Sequence, residues 1–160
     1  MELARFLVEH GADTTAKDYF GSTPLHWASS MGHLELAQFL VEHGADAAAK
    51  DGVDRTPLHG ASDVGHVKLA RFLVEHGADT AAKDRAGSTP LHRASLGGHL
   101  ELARFLVEYG ADVAAEDVDG LTPQHRASEG GHLELALFQV EHGGDTADED
   151  SQGFQQSATA

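Results

Sequence analysis

The stretch TPLHWASSMGHLELAQFLVEHGAD, residues 23–46, contains every landmark that recurs along this chain of 160 residues. Its Thr-Pro pair returns at a fixed interval of 33 residues, at 23–24, 56–57, 89–90 and 122–123. Its Gly-His pair and its Val-Glu-His-Gly-Ala-Asp end return at the same interval, with small changes. A fixed period of this length predicts a stack of repeated units, because each unit buries its apolar face only against its neighbours.

One repeated unit predicts two short helices. Thr23 is a good N-cap, because its hydroxyl can accept a hydrogen bond from a first-turn amide, and Pro24 suits the first helical position. This helix then ends at Gly32, a residue suited to a left-handed cap. The segment 34–43 has apolar side chains at i, i+3 and i+4 spacing, which predicts a second helix that ends at Gly44.

This pattern resembles the ankyrin repeat family. The resemblance rests on the 33-residue period, on Thr-Pro-Leu-His-x-Ala at 23–28, 56–61 and 89–94, and on the Gly-His and Gly-Ala-Asp landmarks. It covers about residues 1–154. It implies an all-α, ankyrin-type repeat solenoid in which each unit has a helix pair and an outward β-hairpin. It also implies a curved stack whose concave side binds other proteins.

The repeat boundaries follow from the period. We expect a partial repeat with only its second helix at 1–17, full repeats at 18–50, 51–83 and 84–116, a degenerate repeat at 117–149, and a hairpin stub with a disordered tail at 150–160. In the degenerate repeat Gln124 and Gln139 replace leucines, which suits the polar outer face of a terminal repeat, although decay of an end unit explains them equally well. Asp54 replaces a hairpin glycine, and because aspartate tolerates positive φ we expect this turn to survive.

Composition and charge limit the kinds of partner. The formal net charge is −15, which argues against nucleic acids and anionic membrane surfaces, since both are bound through clustered Lys and Arg. Most of the 26 acidic residues recur at repeated positions and belong to the framework. No apolar run approaches the roughly 18 residues of a membrane span. The absence of cysteine fits a reducing environment, so we expect an intracellular location, cytoplasmic or nuclear.

The histidines and serines do not predict a catalytic site. All 12 histidines fall into three repeated positions, whereas a catalytic or metal site needs unlike groups gathered in one place. The serines at 29, 62, 95 and 128 lack a G-x-S-x-G turn, and no phosphate-binding glycine loop is present. We therefore expect no enzymatic activity, no metal and no cofactor. The resemblance implies that the Thr-Pro-Leu-His imidazole hydrogen-bonds around the threonine cap.

Information about a partner is expected where the units differ from one another. The variable positions fall at the hairpin tips and on the first-helix face, which ankyrin-like proteins use for recognition. One unit gathers bulky apolar groups there and two later units share an arginine, and such residues often carry interface energy. The expected surface is aromatic at its N-terminal end, cationic toward its middle and acidic beyond. The expected partner-binding residues are Tyr19, Phe20, Ser22, Trp27, Met31, Val53, Arg55, Asp63, Arg85, Arg93, Leu96, Asp119, Leu121, Arg126 and Glu129.

Two functions from different classes follow from this pattern. The favoured function is a non-enzymatic adaptor that binds another protein, one with an apolar anchor followed by an acidic stretch. Simple drift of exposed positions is the alternative explanation of the variable surface. The second function is weak head-to-tail self-association, because Met1 begins at a second helix that lacks its first-helix partner. Otherwise the 160 residues are a piece of a longer array, or another molecule covers this end.

Overall fold

The computed structural model describes residues 1–143, which fold into a row of short helices. The helices are α1 (Glu2–Glu9), α2 (Pro24–Met31), α3 (Leu34–Glu42), α4 (Pro57–Val64), α5 (Val67–Glu75), α6 (Pro90–Gly97), α7 (Leu100–Glu108), α8 (Pro123–Glu129) and α9, which runs from 133 to the last described residue, 143. From α2 onward their starts repeat the 33-residue period, as an ankyrin-type all-α solenoid requires. The expected hairpin stub and disordered tail at 150–160 lie outside the described residues.

The first helix of each unit is capped at both ends. Thr23 is extended, with φ −87° and ψ 166°, and Pro24 follows it at the first helical position. A capping box forms with His26, whose Nδ1 accepts a hydrogen bond from the Thr23 amide at 3.1 Å. Gly32 ends the helix in the left-handed conformation, with φ 74°. The other three Thr-Pro pairs form the same capping box.

The helices pack in two rows. The first helices α2, α4, α6 and α8 pack on one another in order, while α3, α5 and α7 each pack on the first helix of their own unit and on each other. Leu25, Leu58 and Leu91 occupy equivalent positions in the first row and are fully buried. Full burial of one leucine contributes about 1.5–3 kcal/mol. The apolar core therefore continues from unit to unit instead of closing within one.

The tips between units are tight turns. In the first tip the Asp18 amide donates to the Ser22 carbonyl at 3.0 Å, and the Gly52 amide of the next tip donates to the Phe20 carbonyl at 2.8 Å. One backbone hydrogen bond joins these two tips, and residues 1–143 contain turns at the tips and no strand. Asp54 has φ 62°, so this turn survives the loss of its glycine as expected.

Gln139 does not lie on a polar outer face. It occupies the position of the buried leucines Leu40, Leu73 and Leu106, and it is only 2% exposed. Its Nε2 donates to the Ser95 hydroxyl at 2.6 Å, whereas its Oε1 has no partner among residues 1–143. Of the two explanations for Gln139, a polar outer face is therefore wrong, because this side of α9 packs toward Ser95 on α6.

Candidate protein-binding surface

The bulkiest exposed residues of the tips and first helices lie in the first complete unit. Tyr19, Phe20, Trp27 and Met31 expose 96%, 69%, 52% and 64% of their surface. The Tyr19 and Phe20 rings meet edge to face, with centroids 5.4 Å apart. Trp27 and Met31 are four residues apart on α2 and share one face of the helix. The Trp27 indole also reaches the tip, where its Nε1 donates to Asp18.

The other expected binding residues divide into two groups by exposure. The exposed group contains Val53, Asp63, Arg85, Leu96, Asp119 and Glu129. The partly buried group contains Ser22, Arg55, Arg93, Leu121 and Arg126. The arginines of the second group are held close to the framework because each is paired with a carboxylate of this chain.

The position directly after Thr-Pro-Leu-His has the same structural role in three units. In the first unit Trp27 Nε1 donates to Oδ2 of Asp18 at 2.9 Å. In the last unit Arg126 Nε donates to Oδ2 of Asp117 at 3.0 Å, and Arg93 pairs in the same way in the unit before it. The side chain changes from unit to unit, but each donates to the aspartate nine residues earlier.

The two arginines do not form an open cationic stretch. Arg93 pairs with Asp84, and Arg126 pairs with three carboxylates of its own unit. Burial would raise the pKa of Asp84, but hydrogen bonds from Arg93 and from the Ser88 amide outweigh it, and the pKa lies below its ordinary value. Burial would likewise raise the pKa of Asp117, but hydrogen bonds from Arg126 and from the Leu121 amide outweigh it, and the pKa is lowered. The expected cationic middle is therefore neutralised, because each guanidinium compensates a buried carboxylate.

The histidines of the Thr-Pro-Leu-His and Gly-His positions link neighbouring units. His59 Nδ1 accepts from the Thr56 amide at 3.1 Å, and its Nε2 donates to the Ser88 carbonyl of the next unit at 2.9 Å. His99 Nε2 donates to a carbonyl of the preceding unit at 3.0 Å. Within residues 1–143 no group of three or more His, Asp or Glu side chains could hold a metal ion. The repeated imidazoles thus have framework roles.

Both ends of the described array expose apolar side chains. Helix α1 has no buried residue, and its Leu3, Phe6 and Leu7 are exposed. A cavity of about 740 Å³ lies beside α1, between it and the start of α3. At the other end Leu133 and Leu137 of α9 are exposed. These end faces are the places where a neighbouring unit packs in the interior of the stack.

Comparisons with protein-family models agree with this architecture. A model described as ankyrin repeats (3 copies) matches residues 1–51 and 48–117, and one described as ankyrin repeats (many copies) matches residues 97–138. The chain therefore belongs to the ankyrin repeat family, whose members are in general non-enzymatic protein–protein interaction modules. The comparison with curated proteins gave no match. Among the described helices none is both long and apolar enough to cross a membrane.

The aspartates that begin the tips are the residues that sequence reasoning missed. Asp18, Asp51, Asp84 and Asp117 read as framework charge, yet three of them bind the variable side chain nine residues later. The signal was present, because both positions recur with the 33-residue period. The residue types at the second position, tryptophan, glycine and arginine, do not by themselves show that three of these residues share one kind of hydrogen-bond partner.

Proposed function

We propose that this chain is a non-enzymatic adaptor that binds another protein through its tips and first-helix face. The observation that carries the proposal is the exposed apolar patch of Tyr19, Phe20, Trp27 and Met31. Contiguous exposed apolar residues on a soluble domain mark interaction sites, and Trp and Tyr commonly carry interface energy. The patch stands on caps and turns that are hydrogen-bonded between units, so it loses little conformational entropy on binding.

The chemistry of the partner follows from the same surface. An apolar anchor on the partner would cover the patch and remove its aromatic side chains from water. An acidic stretch beyond the anchor has less support, because Arg93 and Arg126 are already compensated within the chain. The absence of cysteine supports a partner that is met inside the cell, in the cytoplasm or nucleus.

Affinity capture from an extract of the source cells tests this proposal. The variant is Tyr19→Ala, Phe20→Ala, Met31→Ala, which shortens three exposed side chains that are not hydrogen-bonded to the framework. The matched control is Leu3→Ala, Leu7→Ala, Leu137→Ala, which removes exposed apolar side chains from the two end faces. Circular dichroism must first show unchanged helical content in both.

A protein that is retained by the wild type and by the control, but lost from the patch variant, is the expected result. Retention by all three proteins would place binding on another surface and overturn the proposal. Loss from the control alone would favour the end faces.

Self-association through the end faces is the second candidate function. Its support is the exposed row Leu3, Phe6 and Leu7 at one end and Leu133 and Leu137 at the other. A contact between unlike ends does not close on itself, so it grows into chains of increasing length. Light scattering over a wide concentration range tests it, and a constant monomer mass at all concentrations would remove this candidate.

A further inference from the structure

Each tip begins with an aspartate whose two carboxylate oxygens have separate tasks. In every unit Oδ1 accepts two backbone amides of its own tip, as Asp84 does from Ala86 at 3.0 Å and from Ser88 at 2.9 Å. In three units Oδ2 accepts from the side chain nine residues later, which is an indole in one case and a guanidinium in the other two. The carboxylate is thus a repeated receptor for a flat side chain with N–H donors.

The unit that contains α4 lacks this donor. Asp51 Oδ1 accepts the Val53 and Arg55 amides, both at 2.9 Å, as its counterparts do. The residue nine positions later is Gly60, which has no side chain, and Oδ2 of Asp51 has no hydrogen-bond partner among residues 1–143. The equivalent Asp84 side chain is only 3% exposed, whereas Asp51 is partly exposed. Oδ2 of Asp51 therefore has no side-chain donor among the described residues and is open to solvent.

A cavity of about 210 Å³ lies beside Gly60, between the first two complete units. Its walls include Trp27, Ser30, Asp51, Arg55 and Gly60. Pockets for drug-sized ligands are about 300–1,000 Å³, so this cavity suits a single side chain. It adjoins the exposed apolar patch, because Trp27 belongs to both.

The carboxylate of Asp51 also forms no ion pair within residues 1–143. Arg55 pairs with Asp63, and Arg93 pairs with Asp84 and lies 4.0 Å from Asp63. These two guanidinium groups therefore lie among three carboxylates when Asp51 is counted with Asp63 and Asp84. The Arg55 guanidinium does not pair with Asp51, because it pairs with Asp63 on α4.

We infer that the cavity at Gly60 receives an arginine side chain of the partner protein, which pairs with Asp51 as Arg93 and Arg126 pair with their own aspartates. This inference rests on the proposed function and names one anchor of the partner. A guanidinium is the group that the chain itself places on this carboxylate in the next two units. Arginine also suits the Trp27 wall, because its planar cation packs favourably against an aromatic ring, whereas the compact ammonium of lysine does so less well.

The direct test uses small probes on the full chain. N-acetyl-arginine amide, N-acetyl-lysine amide and N-acetyl-citrulline amide are titrated separately, and the Trp27 indole N–H and the Gly60 amide are followed by NMR. We expect saturable shifts with arginine and at least tenfold weaker binding of citrulline and lysine. Equal binding of citrulline or lysine, or no saturable shift with arginine, would overturn the inference.

Two variants test the receptor itself. Asp51→Asn removes the charge, and Gly60→Arg with Ser30→Ala fills the cavity with an arginine of the chain's own. The serine is replaced because a Cβ at Gly60 would lie 2.5 Å from the Ser30 hydroxyl oxygen. Both variants are expected to lose arginine binding at least tenfold. Retained binding in either folded variant would contradict the inference.

The controls separate this inference from the proposed function. Asp84→Asn, whose carboxylate is already occupied by Arg93, should leave arginine binding unchanged. Ser30→Ala alone measures how much the second substitution of the filled-cavity variant contributes to its loss of binding. A captured partner that requires the apolar patch but still binds the filled-cavity variant would leave the adaptor function standing and refute the arginine anchor. The probe titration tests whether the cavity binds arginine even if no partner protein is captured.

Discussion

The imidazole of each Thr-Pro-Leu-His motif uses one nitrogen to cap its own helix and the other to hold the next unit. In His92, Nε2 donates to the Leu121 carbonyl at 2.9 Å, and Nδ1 accepts from the Thr89 amide at 3.1 Å. A carbonyl oxygen only accepts, so the proton lies on Nε2 and the ring is neutral. Protonation of Nδ1 would set a second N–H against the Thr89 amide. Burial lowers the pKa of both His59 and His92, although their contacts with a carbonyl and an aspartate partly oppose it.

The lowered pKa values predict that stability falls as the solution becomes acidic. The unfolded chain takes up protons at these histidines near pH 6.5, whereas the folded chain does so only at lower pH, so the free energy of unfolding decreases as pH falls below about 6.5. Urea unfolding between pH 7.5 and 5 should show this loss. A double variant His59→Gln, His92→Gln should be less stable at pH 7.5 but lose less on acidification. An unchanged pH dependence in that variant would contradict this assignment.

Gln139 offers a second test at a single residue. Gln139→Leu restores the residue type of Leu40, Leu73 and Leu106 and removes a buried amide oxygen that has no partner among residues 1–143. We expect the free energy of unfolding to rise by about 1–2 kcal/mol, since an unsatisfied buried polar group costs about 1–3 kcal/mol and the lost hydrogen bond to Ser95 offsets part of this gain. Urea unfolding measures the change. Leu106→Gln is the reverse control and should destabilise, and a fall in stability for Gln139→Leu would show that the amide is needed.

At the scale of the element, each first helix depends on its cap. These helices are only seven or eight residues long, and isolated helices shorter than about 12–15 residues are marginal in water. The threonine, proline and histidine of the capping box lie within four residues of sequence and satisfy the exposed amides of the first turn. The left-handed glycine after the helix then turns the chain toward the second helix.

We expect the threonine cap to contribute more to the free energy of unfolding inside the array than near its end. Thr89 is buried and Thr122 is only partly buried, although both accept a hydrogen bond from the histidine amide three residues later. We expect Thr89→Ala to cost about 1–2 kcal/mol and Thr122→Ala about 0.5 kcal/mol, because water can replace the exposed hydroxyl. Thermal and urea unfolding of the matched pair provide the comparison. Equal losses would mean that burial does not affect the cap.

At the scale of the whole molecule, stability is shared between neighbours. Each described first helix packs on the next, and each inner second helix packs on its own first helix and on adjacent second helices. The solenoid is therefore close to a sum of units and interfaces between units. Within residues 1–143 the apolar core of each helix pair continues into its neighbours.

Removal of one whole period should preserve the fold. Deletion of residues 51–83 joins equivalent positions of two units, so the shorter chain should fold with lower stability and a smaller dependence of unfolding free energy on urea. Deletion of residues 51–66, half a unit, should abolish cooperative unfolding because it breaks the alternation of helices. Circular dichroism with urea titration distinguishes the two. An unfolded 51–83 deletion would show that the units are not interchangeable.

Much of the architecture could be predicted from the sequence because its signals are local. Thr89, Pro90 and His92 define one helix start within four residues, and Gly98 marks its end. The period then places every other helix. Gln139 was the exception, since polarity alone did not reveal that its side of α9 packs on α6.

The sequence by itself determined the repeat, the helix pairs, the family and the exposed aromatic residues of the first complete unit. Only the tertiary structure decided what the arginines do, because the aspartates that they pair with lie outside their own helix and the free energy of pairing depends on burial. It also revealed the cavity at Gly60, where Oδ2 of Asp51 lacks, among the described residues, the side-chain donor that its counterparts have in three other units. Local patterns specify helices through neighbouring atoms, whereas a binding site depends on groups that meet only after the chain has folded.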